Sequence, residues 1–90
     1  MPIIEEETEV STRIDNIYEH KVILFNDDFN PFDHVEDCLM RICFKSQKEA
    51  KRIALEAHNK GKAICYEGSI EACETVGEKM GEEGLTVSVS

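Results

Sequence analysis

The fold is decided by the stretch Val22-Ile23-Leu24-Phe25-Asn26-Asp27-Asp28-Phe29-Asn30-Pro31-Phe32. Its first four residues are all apolar, so a strand formed by them is apolar on both faces, which predicts that it is central in its sheet. Polar turn residues follow, and then a helix start in which Asn30 suits the N-cap and Pro31 the first helical position. Taken alone, this is an ordinary strand-to-helix turn. Whether this turn takes part in binding depends on which residues from the second half of the chain lie near it.

The size and composition of the chain predict one small domain. It has 90 residues, of which 41% are hydrophobic, so the core is modest. No run approaches the roughly 18 apolar residues of a membrane span, and the acidic start is unlike a secretory signal, so we expect a cytoplasmic protein. Residues 1–17 are acidic and aperiodic, which predicts a flexible N-terminal extension before a core domain at 18–90. That extension is either solubilising or functional.

The charge balance restricts the partners. The net charge is −9, from 19 acidic and 10 basic side chains. Such a surface repels phosphate, so we do not expect nucleic acid or an anionic membrane as a partner. A cationic ligand or a basic protein patch is compatible with it.

Periodicity and capping signals predict six elements. Ser46 with Glu49 forms a capping-box signature, and Gly61 suits a left-handed C-cap. The elements are strand Tyr18–Phe25, helix Pro31–Cys43, a helix from Ser46 to Lys60, strand Lys62–Tyr66, a helix from Ser69 to about Glu83, and strand Leu85–Val89. The order β-α-α-β-α-β predicts a small α+β domain, with three helices packed on one face of a three-stranded antiparallel sheet.

Each predicted helix has one apolar stripe, which predicts the core. The stripes are Phe32, Val35, Leu39, Ile42 and Cys43 in the first helix; Ala50, Ile53, Ala54, Ala57 and His58 in the second; and Ile70, Cys73, Val76 and Met80 in the third.

The sequence offers little support for catalysis or for a cofactor. It has no Gly-rich phosphate loop, no G-x-S-x-G and no H-E-x-x-H motif. The four cysteines, at positions 38, 43, 65 and 73, form no C-x-x-C pair, which favours small buried hydrophobes over a metal or redox site. We therefore expect a protein that is not an enzyme and that has neither a metal nor a cofactor.

His58 ends an otherwise apolar helix face and has two interpretations. By base rate, such a histidine is hydrogen-bonded within the core. Alternatively, His58 meets the turn formed by Asn26, Asp27 and Asp28 at the rim of an apolar cavity. That rim would present hydrogen-bond acceptors only, which suits an ammonium group attached to a hydrophobic side chain. The free N-terminus of a protein is such a ligand.

Two motifs resemble those of a known family. The run Tyr18–Pro31, with Lys21–Asp28 at its centre, resembles the first strand and turn of the ClpS adaptors. The run Leu55–Cys65 resembles the second hallmark of that family, a histidine-to-cysteine segment containing Gly-Lys. The resemblance covers about residues 18–90.

The resemblance implies an N-end rule adaptor of a ClpAP-type bacterial protease. Such an adaptor binds proteins that begin with Leu, Phe, Tyr or Trp. It delivers them to the N-terminal domain of a ClpA-like AAA+ unfoldase, and we expect it to be a monomer. Asn26 and His58 would accept hydrogen bonds from the α-amino group, Asp27 would act through its backbone and water, and Asp28 would lie close by. The side-chain pocket would consist of Asn30, Phe32, Val35, Ala54, Ala57 and Leu85, and the unfoldase would dock at Glu71 and Thr75.

The chain departs from the family pattern at positions that affect specificity. Ala54 stands where the family usually has a gating methionine, and Phe32 replaces another common methionine, so Ile or Met is also expected at the first ligand position. Val76 replaces a lysine of the unfoldase contact, and the turn Tyr66–Ser69 differs from the usual one. Two rivals remain: an interaction domain of the same fold without an amino-acid pocket, like the C-terminal domain of the ribosomal stalk protein, and a thiol-based metal or redox site.

Overall fold

The structure, a computed structural model, describes residues 20–90. Its elements are β1 (His20–Phe25), α1 (Phe32–Arg41), α2 (Gln47–Lys60), β2 (Lys62–Gly68), α3 (Ile70–Glu82) and β3 (Val87–Val89). This order confirms the predicted α+β fold. The predicted extension, residues 1–17, lies outside the described residues. Within the described part of the chain, none of the helices has the length and apolar character needed to cross a membrane.

The three strands form one antiparallel sheet in the order β2-β1-β3. The strand that was predicted to be central, β1, is therefore central. Val22 pairs with Tyr66 whereas Ile23 pairs with Ile64, so Cys65 is an extra residue on β2. This β-bulge increases the local twist of the sheet.

The core lies between one face of the sheet and the helices. Val22 and Leu24 point into it from β1 and are almost fully buried. The core includes the apolar stripes of α2 and α3 except at two positions: His58 and Ile70 are exposed. Ile70 directly follows the N-cap of α3, where it is 39% exposed, so the prediction of burial was wrong. On the other face of the sheet, Ile64 stays 43% exposed.

The start of α1 differs from the prediction. The helix begins at Phe32, its N-cap residue is Pro31, and no side chain caps it. Asn30 lies one position before the cap residue, and its side-chain amide donates to Asp27 and to the Gly84 carbonyl. The other predicted caps are confirmed: Ser46 accepts from the backbone of Glu49 at 3.2 Å, and Gly61 is left-handed, with φ 91°.

β3 is shorter than predicted and packs closely on α3. The strand begins at Val87 and not at Leu85, which is buried in the core. A Cβ atom at Gly77 would lie 3.1 Å from Cγ2 of Val89, so the absence of a side chain at Gly77 lets strand and helix approach.

Candidate functional site

A cavity opens where the end of β1 and the following turn meet α1 and α2. Its empty volume is about 380 Å³, including the space open to solvent at its mouth. The lining residues are Leu24, Phe25, Asn26, Asp27, Asn30, Phe32, Val35, Ala54, Ala57 and His58.

Most of the residues singled out in the sequence lie together in this lining. They come from the turn, from the first turns of α1 and from the second half of α2. Two do not: Asp28 is exposed on the turn, and Leu85 is buried in the core. The cavity therefore does not support a lining role for Leu85 or Asp28. Leu24 and Phe25 do line it and were not predicted, although their place directly before the turn was a usable signal.

Asp27 organises the turn. Its Oδ1 accepts hydrogen bonds from the backbone N–H groups of Phe29 at 3.0 Å and Asn30 at 2.8 Å. Its Oδ2 accepts from the Asn30 side-chain amide at 2.9 Å. Burial by itself would raise the pKa of Asp27, but these hydrogen bonds, the side-chain one first, outweigh it and hold the pKa below its usual value. The carboxylate therefore stays ionised and keeps the turn in one conformation.

Asn30 ties the turn to the end of α3. Its Nδ2 also donates to the Gly84 carbonyl at 3.0 Å. One side-chain amide thus joins the turn after β1 to a residue that follows α3, 54 positions away in the chain.

Asn26 and His58 are brought to the same cavity by a backbone contact. The Asn26 N–H donates to the carbonyl of Gly61, the C-cap of α2, at 2.9 Å. His58 lies in the last turn of that helix. Within residues 20–90, neither the Asn26 amide nor the His58 ring forms a side-chain hydrogen bond, so both can serve a ligand. The exposed ring of His58 also means that the interpretation as a core histidine was wrong.

The rest of the cavity is apolar. Ala54 and Ala57 of α2 are each 4% exposed and contribute short side chains that leave space. The Phe32 ring meets the His58 ring edge-to-face, with centroids 6.2 Å apart. Hydrogen-bond acceptors at one side of an apolar hollow can hold a ligand that carries both a cationic donor group and a hydrophobic group.

The predicted docking residues lie elsewhere. Glu71 and Thr75 are exposed on α3, one turn apart, and the Thr75 hydroxyl donates to the Glu71 carbonyl at 3.0 Å. Val76 is 5% exposed and packs in the core, which explains why an apolar residue is suitable at this position.

Comparison with known proteins identifies the family. The family model described as "ATP-dependent Clp protease adaptor protein ClpS" matches residues 16–88. The chain belongs to the ClpS family. A ClpS of Synechocystis is 39% identical over 69 residues, which are 76% of this chain and 70% of that protein. A ClpS of Thermosynechococcus vestitus is 39% identical over 70 residues, 77% of this chain and 74% of that one.

A solved ClpS structure has the same fold. It is Agrobacterium tumefaciens ClpS2 bound to L-phenylalaninamide, with a TM-score of 0.72 and 26% identity over 79% of this chain and 93% of that one. The ClpS family consists of Clp protease adaptors, which agrees with the prediction of an adaptor that is itself no protease.

Proposed function

We propose that this ClpS adaptor binds the N-terminal residue of substrate proteins and delivers them to a AAA+ Clp unfoldase. Asn26 and His58 would accept hydrogen bonds from the free α-amino group, and the hydrophobic side chain of the first residue would enter the cavity. The observation that carries the proposal is the pairing of an apolar hollow with two hydrogen-bond acceptors from separate segments.

The ligand of the Agrobacterium relative supports this chemistry. L-Phenylalaninamide has a free α-amino group, a phenylalanine side chain and an amide in place of the next peptide bond. It therefore has the chemical features of a protein beginning with Phe. We expect the chain to bind N-terminal Leu, Phe, Tyr and Trp, and also Ile or Met because Ala54 leaves more space than a methionine would.

The expected affinity requires both halves of the site. Burying a Leu or Phe side chain contributes about 1.5–3 kcal/mol, and each hydrogen bond to a charged ammonium contributes about 1.5–3 kcal/mol. Once the cost of association is subtracted, micromolar binding is expected only when the two contributions combine. The turn favours such combined binding, because the hydrogen bonds between Asp27 and Asn30 hold it in place before the ligand binds.

The test compares peptides that differ only at the first residue. Fluorescence anisotropy with a labelled Phe-starting peptide should show binding to the full chain, and N-terminal acetylation should abolish it. Asn26→Ala should weaken binding about ten- to hundredfold because one acceptor of the charged group is lost. Asn59→Ala, an exposed asparagine on α2 outside the cavity lining, is the matched control. Equal binding of acetylated and free peptides would overturn the proposal and favour an interaction domain without an amino-acid pocket.

For delivery, we propose that the exposed face of α3 around Glu71 and Thr75 docks on the N-terminal domain of a ClpA-like unfoldase. This face lies apart from the cavity lining, so one molecule can hold a substrate and contact its partner together.

A further inference from the structure

A second cluster of reactive side chains lies where α1 meets the end of α3. His34 and Cys38 belong to α1, and Glu83 is the C-cap residue of α3. The His34 Nε2 atom lies 3.7 Å from Cys38 Sγ and 3.9 Å from Glu83 Oε1. Cys38 Sγ lies 3.9 Å from the same carboxylate oxygen. A nitrogen, a sulfur and an oxygen atom thus form a nearly equilateral triangle.

The triangle has the dimensions of a zinc site. Zinc bonds of about 2.0–2.3 Å to N, O and S ligands at tetrahedral angles place the ligand atoms roughly 3.3–3.6 Å apart. The three distances in the structure exceed this by only a few tenths of an ångström. A side-chain adjustment, without movement of the helices, would bring the three atoms onto one ion.

The positions of the three residues also suit a metal. His34 and Cys38 are four residues apart and therefore share one face of α1. The side chains of His34 and Glu83 are 32% and 35% exposed, so an ion can reach the cluster from solvent, while Cys38 is buried. Imidazole and thiolate ligands select zinc over magnesium or calcium.

Two contacts would have to change. His34 Nε2 donates to the Glu83 backbone carbonyl at 2.8 Å. For Nε2 to coordinate an ion, that proton would move to Nδ1 and the ring would turn away from the carbonyl, because two lone pairs repel each other at this distance. Burial, assisted by Glu83, raises the pKa of the Cys38 thiol, so the metal-free thiol keeps its proton. Coordination would displace that proton, which would pass to solvent and leave a thiolate ligand.

Arg41 supplies positive charge to the cluster in the metal-free protein. Its Nη2 atom lies 3.5 Å from Glu83 Oε1 and 3.9 Å from Cys38 Sγ. Its Nε is held by Asp37 at 2.7 Å, and its side chain is 52% exposed, so it can leave the cluster without losing that partner. A bound cation would replace it.

We propose that His34, Cys38 and Glu83 form a site for one zinc-class divalent ion, with water as the fourth ligand. The cysteine spacing did not predict it because the ligands lie at positions 34, 38 and 83. None of the three is among the cavity-lining residues that the structure describes. The site is adjacent to Gly84, which accepts the Asn30 hydrogen bond, so an ion would fix the end of α3 beside the ligand-binding turn.

Cobalt(II) is the probe, because its absorption reports coordination directly. Titration of the reduced full chain with Co²⁺ should produce a thiolate-to-cobalt charge-transfer band and intense visible bands of tetrahedral coordination, saturating at one ion per chain. Added Zn²⁺ should abolish them by displacement. Absence of the charge-transfer band at saturating Co²⁺ would overturn the proposal.

Variants assign the ligands. Cys38→Ser should remove the charge-transfer band. Glu83→Gln should weaken Co²⁺ binding at least about tenfold, because loss of a residue that only supports a metal ligand already costs that much. Glu82→Gln, at the neighbouring exposed residue, should have no effect. Arg41→Ala should tighten binding severalfold because it removes the competing charge. Retention of the full band in Cys38→Ser would exclude this site, and so would equal effects of Glu83→Gln and Glu82→Gln on Co²⁺ affinity. If Cys38→Ser does not fold, the comparison of the two glutamate variants still tests the proposal.

Discussion

Phe32 and His58 contact each other edge-to-face, with ring centroids 6.2 Å apart and an interplanar angle of 74°. One ring comes from the first residue of α1 and the other from the last turn of α2, and both line the cavity. Such aromatic pairs contribute about 0.5–1.5 kcal/mol beyond the area they bury. Phe32 therefore acts both as a wall of the cavity and as a support that orients the imidazole.

Removing this support should weaken ligand binding more than it weakens the fold. Phe32 is 37% exposed, so Phe32→Ala should cost little stability while reducing the affinity for a Phe-starting peptide about tenfold. Anisotropy titration and thermal unfolding measure the two effects. Phe29→Ala is the control, because Phe29 is 93% exposed and does not line the cavity. Equal loss of affinity in both variants would contradict this role of Phe32.

Filling the space at Ala54 should narrow the specificity. Ala54→Met adds three heavy atoms inside the cavity, and the loss should be larger for the branched Ile side chain than for the flat Phe ring. We expect the ratio of Phe to Ile affinities to rise about tenfold in a competition assay with the two peptides. Leu55→Met, at a residue 44% exposed on α2 and outside the lining, should leave the ratio unchanged. An unchanged ratio in Ala54→Met would place the specificity determinant elsewhere.

His58 should contribute to peptide binding as a hydrogen-bond acceptor. A neutral imidazole nitrogen accepts from an ammonium group, and the side-chain oxygen of a glutamine can do the same. His58→Ala should therefore weaken the binding of a Phe-starting peptide about tenfold in anisotropy titrations, whereas His58→Gln should keep more of the affinity. Equal losses of affinity in the two variants would contradict an acceptor role for this side chain.

Asp27 should stabilise the fold in a pH-dependent way. Because the pKa of Asp27 is lowered in the folded protein, its stabilisation is complete above the unfolded-state pKa and is lost as the pH falls through the lower folded-state value. Asp27→Asn should reduce the free energy of unfolding by about 1 kcal/mol at neutral pH, and the difference from wild type should shrink in acid. Denaturant titrations at several pH values measure it. Asp28→Asn, at the neighbouring exposed residue, is the control and should leave the free energy of unfolding at neutral pH close to that of the wild type.

Docking and ligand binding should be separable. Glu71→Lys reverses a charge on the exposed face of α3 and should reduce binding to the isolated N-terminal domain of a ClpA-like unfoldase at least about tenfold, with peptide affinity unchanged. Glu82→Lys makes the same change about three helical turns away on α3 and serves as control. Surface plasmon resonance with the immobilised domain measures docking. If both variants bind it as wild type does, the contact lies on another surface.

The sequence correctly predicted those features whose interacting residues lie close together in the chain. Ser46 and Gly61 cap α2 as expected because their partners lie within four residues. Asn30 was predicted as the cap of α1, but the helix starts one residue later, and the hydrogen bond of Asn30 to Gly84, 54 positions away, could not be predicted from a local pattern. The cluster of Cys38 with Glu83 was missed for the same reason, since their separation of 45 residues leaves no periodic trace.

The candidate site was predicted in part because the family motifs mark it. Asn26 and His58 were expected to converge, and the Asn26–Gly61 hydrogen bond accounts for their meeting. Leu85 was expected in the pocket but is buried outside the cavity lining, and β3 starts only at Val87 and not at Leu85. Such a shift of two residues at an element boundary is beyond what a hydrophobic pattern resolves.

The extra residue Cys65 on β2 has a consequence for solubility. β2 and β3 are the two borders of the sheet, and a long, flat border with free backbone groups recruits extended chains and seeds aggregation. The bulge twists one border, and the other is only three residues long. The two borders of the sheet thus offer an extended chain little backbone to pair with, which limits aggregation through the sheet.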